Sequence, residues 1–308
     1  MPLAKPSRMR TRSSSSPALT KPRRQKPTRE AGIVASPAVL HSGDSPPRPS
    51  SRTKVTRTRR RTPAGCLAAL AIVASQGAFA QVLPPSSDAE ACLAANRSLS
   101  LGAPLPRTTA RLKAGDLLRI VAVGSSSTTG LWVLSSEATY PEVMRRELAR
   151  LRPQTRIEVI NRGRIGETIT GSMARFQRDV IAYGPDLVIW QLGTNDVAWG
   201  GRADGLKDQV TEGARMLKAS GADVILMDLQ YAPLVLASSQ HSLMQAIIAE
   251  VAREQRVGLF PRFALMRRSI DAGVPAGALL SWDGLHNSVA GYDCVGRALA
   301  RAVHAGGR

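Results

Sequence analysis

From Leu117 onward the chain alternates short apolar runs with longer stretches of helical pattern. Leu118 to Val123, Arg156 to Ile160, Leu187 to Leu192, Val224 to Leu229 and, more weakly, Val257 to Phe260 are rich in Val, Ile and Leu. Most of their positions are apolar, so both faces need cover, as in buried parallel strands. Between them, Tyr140 to Leu151, Ser172 to Tyr183, Leu206 to Ser220 and Ser242 to Gln255 read as helices. Pro141 sits where a helix start tolerates its missing N–H. A last helix is expected from about Ser288 to Val303, capped by Asn287 or Ser288. This alternation predicts an α/β fold: one parallel sheet with helices on both faces. In such sheets ligands bind beyond the carboxyl ends of the strands. Residues 81–110 show no clear element, and the lead-in 81–116 is expected to wrap the surface of the domain at 117–308.

Charge narrows the possible partners. The 308 residues carry a net charge of +19 and a pI near 11.2, which on its face suggests a polyanion ligand. Residues 1–80, however, hold 16 Lys/Arg against 2 Asp/Glu, leaving only +5 on the rest. The body is therefore mildly basic and requires no nucleic acid, and it lacks the aromatic-plus-basic pattern of a single-strand binder. Residues 1–62, rich in Ser, Pro, Thr and Arg, have too few apolar positions to offset ordering entropy and are expected to be disordered.

Residues 59–80 have the layout of a secretory signal: Arg59-Arg60-Arg61, an apolar run from Ala64 to Ala74, then Ala78-Phe79-Ala80 before Gln81. The run is shorter than the roughly 20 residues of a membrane span, so no stable anchor is expected. The expected location is periplasmic or secreted, after cleavage between Ala80 and Gln81. A translation start near Val55 would leave this signal in an ordinary position. Cleavage leaves Cys92 and Cys294, whose spacing suits no metal site and which an oxidising compartment can join as a disulfide.

Four islands carry the chemistry: Gly124-Ser125-Ser126-Ser127, Asn161 to Gly166, Gly193-Thr194-Asn195-Asp196 and Asp283-Gly284-Leu285-His286. The first three follow strands one to three, at one rim of the sheet. The serine-rich loop alone fits a phosphate cradle, a flavin-phosphate site or a nucleophile, although a P-loop lysine is absent. The Asp-x-x-His island favours the nucleophile. In a helical turn both side chains share one side, so the carboxylate can orient the imidazole while its other nitrogen takes a serine proton. Asn195 and Gly166 can present N–H groups to developing negative charge.

These islands resemble the SGNH (GDSL-type) hydrolase superfamily over roughly residues 117–305. The resemblance implies a flavodoxin-like three-layer α/β/α sandwich on a parallel sheet of about five strands. It assigns Ser126 as nucleophile, Asp283 and His286 as the rest of a triad, and Ser126, Gly166 and Asn195 as oxyanion donors. Ser125 replaces the Asp of the family's Gly-Asp-Ser island, a residue outside the triad. The expected activity is hydrolysis of a small-molecule or polysaccharide carboxylic ester through an acyl-enzyme, with no cofactor and no metal. The alternatives are acyl transfer to a sugar hydroxyl at the same site, or a non-catalytic flavin- or phosphate-binding module. Trp132 and Trp199 lie near the islands and are candidates for a substrate wall.

Export is directly measurable. Mass spectrometry of protein from its native host should find an N-terminus at or near Gln81. An intact cytoplasmic chain that retains residues 60–80 would rule it out.

Overall fold

The computed structural model describes residues 86–306, so the segment 1–62 and the signal at 59–80 lie outside the described residues. Five strands, β1 (Leu118–Gly124), β2 (Ile157–Gly163), β3 (Leu187–Gln191), β4 (Asp223–Met227) and β5 (Gly258–Phe260), pair in parallel in the order β2-β1-β3-β4-β5. This is the flavodoxin-like doubly wound order, in which β1 and β3 flank the switch point. β3 is buried along its whole length, as its run of apolar residues requires. β2 lies at the edge and is mostly half-buried, so it can run on from Ile160 through polar Asn161 and Arg162. Its register with β1 holds to the pair Gly124–Gly163.

Thirteen α-helices and two short 3-10 turns surround the sheet among the described residues. α1 (Ser87–Ala95) and α2 (Pro106–Ala114) precede it; α3 (Ser126–Thr129) and α4 (Tyr140–Leu151) follow β1. α5 (Ile169–Met173) and α6 (Phe176–Asp179) follow β2; α7 (Thr194–Ala198) and α8 (Leu206–Ala219) follow β3. α9 (Pro233–Leu236) and α10 (His241–Gln255) follow β4; α11 (Arg262–Asp271), α12 (Ala276–Leu279) and α13 (Val289–Gly306) close the chain. One layer packs α4 on α13, α13 on α1 and α1 on α11; the other packs α8 on α10 and on α5.

Three segments depart from expectation. The lead-in forms α1 and α2 and places Leu93, Leu101, Leu105 and Leu112 in the core, instead of only wrapping the surface. In α1 the sequence SDAEACLAA is dominated by Ala, which marks neither a buried nor an exposed face, so periodicity does not reveal it. The helix expected over 172–183 breaks into α5, α6 and a short 3-10 turn at Ile181–Tyr183. Arg175 stands at the break, buried, with its guanidinium bonded to Glu167 and to the Arg162 carbonyl at 2.8 Å. That tertiary anchor outweighs helical propensity. α11 was not expected, because Arg262 and Ser269 lie on its buried face.

Cys92 in α1 and Cys294 in α13 are joined as a disulfide across 202 residues, with Cα atoms 6.0 Å apart. α13 also crosses α4 closely. A Cβ on Gly296 would lie 2.7 Å from the Tyr140 carbonyl oxygen and 2.7 Å from Val143 side-chain atoms. Only glycine permits that approach.

Gly296→Ala tests the contact. Alanine is worth about 1 kcal/mol in helix propensity, yet the clash falls partly on backbone that cannot turn aside. A net loss of about 1–3 kcal/mol is expected from overpacking, read as an earlier denaturation midpoint. An unchanged or later midpoint would show that α4 and α13 part freely.

Candidate active site

The site begins where β1 ends. A Cβ on Gly124 would lie 2.7 Å from the Gln191 carbonyl oxygen and 2.7 Å from Thr128 Oγ1, so the chain can turn there only with glycine. Gln191, at the end of β3, then organises the turn. Its Oε1 accepts the Ser125 backbone N–H at 2.8 Å, the Ser125 hydroxyl at 2.8 Å and the Thr128 hydroxyl at 3.1 Å. The Ser125 carbonyl accepts the Thr128 N–H at 2.9 Å, closing the single turn of α3. These bonds hold the Ser125 hydroxyl inward against Gln191. Ser126, first in α3, instead places its Oγ 2.7 Å from His286 Nε2. Ser127 is buried.

His286 and Asp283 sit in a loop and not in the helical turn expected from their spacing. Ser281 N–H donates to the His286 carbonyl at 2.7 Å, and Leu280 pairs antiparallel with Asn287, so the segment doubles back on itself. Gly284 takes a φ of 65° at its tip. Asp283 shapes the loop: Oδ1 accepts the Leu285 and His286 N–H groups, both at 3.0 Å. Oδ2 lies 2.6 Å from His286 Nδ1 and accepts the Trp132 indole N–H at 2.7 Å. A proton on Nδ1 directed at this carboxylate leaves Nε2 as acceptor for the Ser126 hydroxyl. Burial alone would raise the Asp283 pKa, but the bonds from His286, from the two backbone N–H groups and from Trp132 outweigh it and hold it at about 2. Asp283 is therefore a carboxylate throughout the neutral range. Ser288 caps α13 directly behind, its Oγ accepting the Gly291 N–H at 3.0 Å.

The loops after β2 and β3 supply the other donors. Gly166 occupies a turn closed by the Glu167 N–H on the Arg164 carbonyl at 3.2 Å, with a φ of 75° that glycine tolerates. Asn195 Nδ2 donates to the Glu167 carbonyl at 2.8 Å, which leaves its second amide hydrogen available. Asp196 Oδ1 accepts the Ile169 N–H at 3.1 Å, and burial raises the pKa of this carboxyl. Asn195 and Asp196 thus stitch the third island to the second. Among the described residues, neither the Ser126 nor the Gly166 backbone N–H donates to a protein acceptor. Trp132 and Trp199 are both exposed; Trp199 bonds Asn195 Oδ1 at 3.4 Å, and Trp132 meets Trp282 edge-on with ring centroids 4.9 Å apart.

A second polar group lies beneath the histidine loop. Arg262, fully buried at the start of α11, donates to the Asp228 carbonyl at 3.1 Å and to Gln230 Oε1 at 2.7 Å. Gln230 Oε1 also accepts the Thr194 hydroxyl at 2.9 Å, and its Nε2 donates to the Leu285 carbonyl at 3.4 Å. Burial pushes the Asp228 carboxyl up to about 7 despite its bond from the Phe263 N–H and its proximity to Arg262. Sequence reasoning passed over Gln191, Gln230, Arg262 and the bond from Trp132 to Asp283. One signal was present: Gln191 is a polar residue closing an apolar strand, where a buried amide requires partners.

A doubly wound α/β sandwich carrying a linked serine, histidine and aspartate at its carboxyl rim can activate a serine hydroxyl as a nucleophile. The chain belongs to the Non-GDSL lipase-like family, whose model matches residues 91–308. It is 26% identical over 164 residues to an acetylxylan esterase of Geobacillus stearothermophilus, an overlap covering 49% of this chain and 74% of that protein. It is likewise 26% identical over 145 residues to an arylesterase of Vibrio mimicus, covering 47% of this chain and 70% of that one. A crystal structure of a two-domain esterase active on acetylated mannans shares the fold, with a TM-score of 0.57 and 21% identity over 69% of this chain. The match spans 54% of that esterase's length, about half.

Gln191→Met tests the node beneath the nucleophile. It keeps volume and removes the acceptor of three donors. A buried donor left unpaired costs about 1–3 kcal/mol, so unfolding in urea should begin measurably earlier. Labelling of Ser126 by a fluorophosphonate should slow as well. Wild-type stability and labelling together would show that the turn holds itself.

Proposed function

We propose that the protein is a serine carboxylic ester hydrolase of the SGNH (GDSL-type) kind, acting through an acyl-enzyme. The observation that carries this reading is the continuous chain from Ser126 Oγ to His286 Nε2, 2.7 Å, and from His286 Nδ1 to Asp283 Oδ2, 2.6 Å. The esterase names of its curated relatives support the same chemistry.

In the first half-reaction the Ser126 oxygen attacks the ester carbonyl carbon while His286 Nε2 takes the hydroxyl proton. The carbonyl oxygen becomes an oxyanion, stabilised by the Ser126 and Gly166 N–H groups and the Asn195 amide. Asp283, ionised, stabilises the imidazolium and keeps its ring aligned. His286 then passes the proton to the departing alcohol oxygen, leaving an acyl group on Ser126. In the second half, water attacks that acyl carbon while His286 takes its proton; the bond to Ser126 then breaks, His286 returns the proton to the Ser126 oxygen, and the carboxylic acid leaves. The steps use the chain's own groups and water.

For the substrate we propose an acylated saccharide carrying short acyl groups. The acetylxylan relative and the neighbour active on acetylated mannans support that class. The exposed faces of Trp132 and Trp199 can stack on a sugar ring. Export to an oxidising compartment is part of the proposal, in keeping with the Cys92–Cys294 bond.

Turnover of p-nitrophenyl acetate and of acetylated xylo-oligosaccharides tests the reading. Ser126→Ala and His286→Ala should each fall to near background. Asp283→Ala should lose about tenfold to a hundredfold less, and the losses should not add in double variants. Substantial turnover by Ser126→Ala would remove the proposed mechanism.

A further inference from the structure

The segment that carries the nucleophile also reaches the acid. After α3 ends at Thr129, the chain turns sharply: Leu131 N–H donates back to the Ser126 carbonyl at 3.0 Å, and Val133 N–H to the Gly130 carbonyl at 3.3 Å. Trp132, between them, has a φ of 72°, in the left-handed region that a bulky residue rarely enters. Such a conformation persists only where surroundings hold it, and it recurs at functional sites. Here it turns the indole so that Nε1 donates to Asp283 Oδ2 at 2.7 Å.

We infer that Trp132 is a positioning residue for the triad, its indole N–H fixing the Asp283 carboxylate and tempering that carboxylate's hold on the His286 imidazolium. The inference rests on the esterase reading above and adds a residue to it. Asp283 receives four donors. The two on Oδ1 come from its own loop, whereas Oδ2 is shared between His286 Nδ1 and Trp132 Nε1. The indole is thus the one of these four that comes from a different part of the chain, the part bearing Ser126. It links nucleophile and acid independently of the histidine. A merely packed tryptophan would need no such direction of its N–H, and with about half its area exposed Trp132 gains little as core. Positioning uses only the N–H edge, which is compatible with a substrate-wall role for the exposed part of the ring.

The sign of the effect follows from competition at one oxygen. A carboxylate relieved of the indole donor carries more unshared charge and holds the imidazolium more tightly. His286 then keeps its proton to higher pH, so at a given pH less neutral imidazole is available to take the Ser126 proton. Tyr292 in α13 is a further titratable group set against Asp283; burial pushes its phenol up, so it stays neutral throughout this range.

The experiment compares Trp132→Phe with Trp282→Phe, which alters the edge-on ring contact but removes no donor to Asp283. Kinetics on p-nitrophenyl acetate and the pH profile of kcat/KM are read alongside thermal melts. Trp132→Phe should lower kcat about threefold to tenfold, as expected for losing one hydrogen bond, with KM little changed. Its acid limb should move to higher pH, while that of Trp282→Phe stays at the wild-type position. A Trp132→Phe enzyme with wild-type kcat and acid limb overturns the inference, as does an equal shift in Trp282→Phe. A measurement on the intact protein guards against misfolding of the variant. In proton–nitrogen spectra the Trp132 indole N–H should exchange slowly with solvent and shift on Asp283→Asn. Exchange as fast as that of a free indole overturns the inference. Wild-type protein with neither turnover nor fluorophosphonate labelling of Ser126 instead defeats the esterase reading itself, and the inference with it.

Discussion

The approach of β1 to β3 at Gly124 and Gln191 is the constraint on which the site depends. Two parallel strands side by side bring their carboxyl ends together, and the first residue beyond β1 must turn within that gap. A side chain at 124 would strike the Gln191 carbonyl and Thr128, so the backbone is glycine there. Gln191 then offers one oxygen to three donors of the turn. Ser125 is consumed in that bonding, and the Ser126 hydroxyl is left to face His286. Ser125 is thus held locally, its small hydroxyl meeting the glutamine oxygen.

The histidine loop solves a different problem. A carboxylate near protein must be stabilised or it protonates, and Asp283 meets this with four hydrogen bonds that hold its pKa near 2. Two of those bonds bend its own backbone into the turn that presents His286. One group thus shapes the loop, orients the imidazole and supplies the negative charge. The loop is underlain by Gln230, which connects the Leu285 carbonyl to Thr194 after β3 and to the buried Arg262. The rim is consequently joined by polar contacts across loops that follow β3, β4 and β5, while the apolar sheet beneath supplies rigidity. Such buried networks stabilise a single arrangement when their members are paired.

The strands were legible because burial on both faces leaves a mostly apolar run, and Leu187 and its successors show it plainly. The helices Tyr140–Leu151, Leu206–Ala219 and His241–Gln255 were legible because each keeps one apolar stripe. Legibility failed where identity does not report burial. The alanines of α1 mark no face, and Arg262 and Ser269 sit inside α11 although their types suggest solvent. It failed again at Arg175, where a distant carboxylate and a carbonyl break a pattern that reads as one helix. The four islands were legible as chemistry, since their residue types and their place after successive strands limit what they can do.

By itself the sequence determined the class of fold, the five strands with most of the long helices between them, and the polar residues placed at the strand ends. Each of these follows from local pattern: strand period, helix period, and turn residues at strand ends. Only the tertiary structure decided which of three adjacent serines faces a histidine and that Asp283 acts from a loop. It also decided that Trp132 donates to that same carboxylate, 151 residues away. Those outcomes depend on angles of a few side chains within a gap set by packing. No one-dimensional pattern encodes them, because Ser125, Ser126 and Ser127 are chemically identical until Gln191 and His286 are in place.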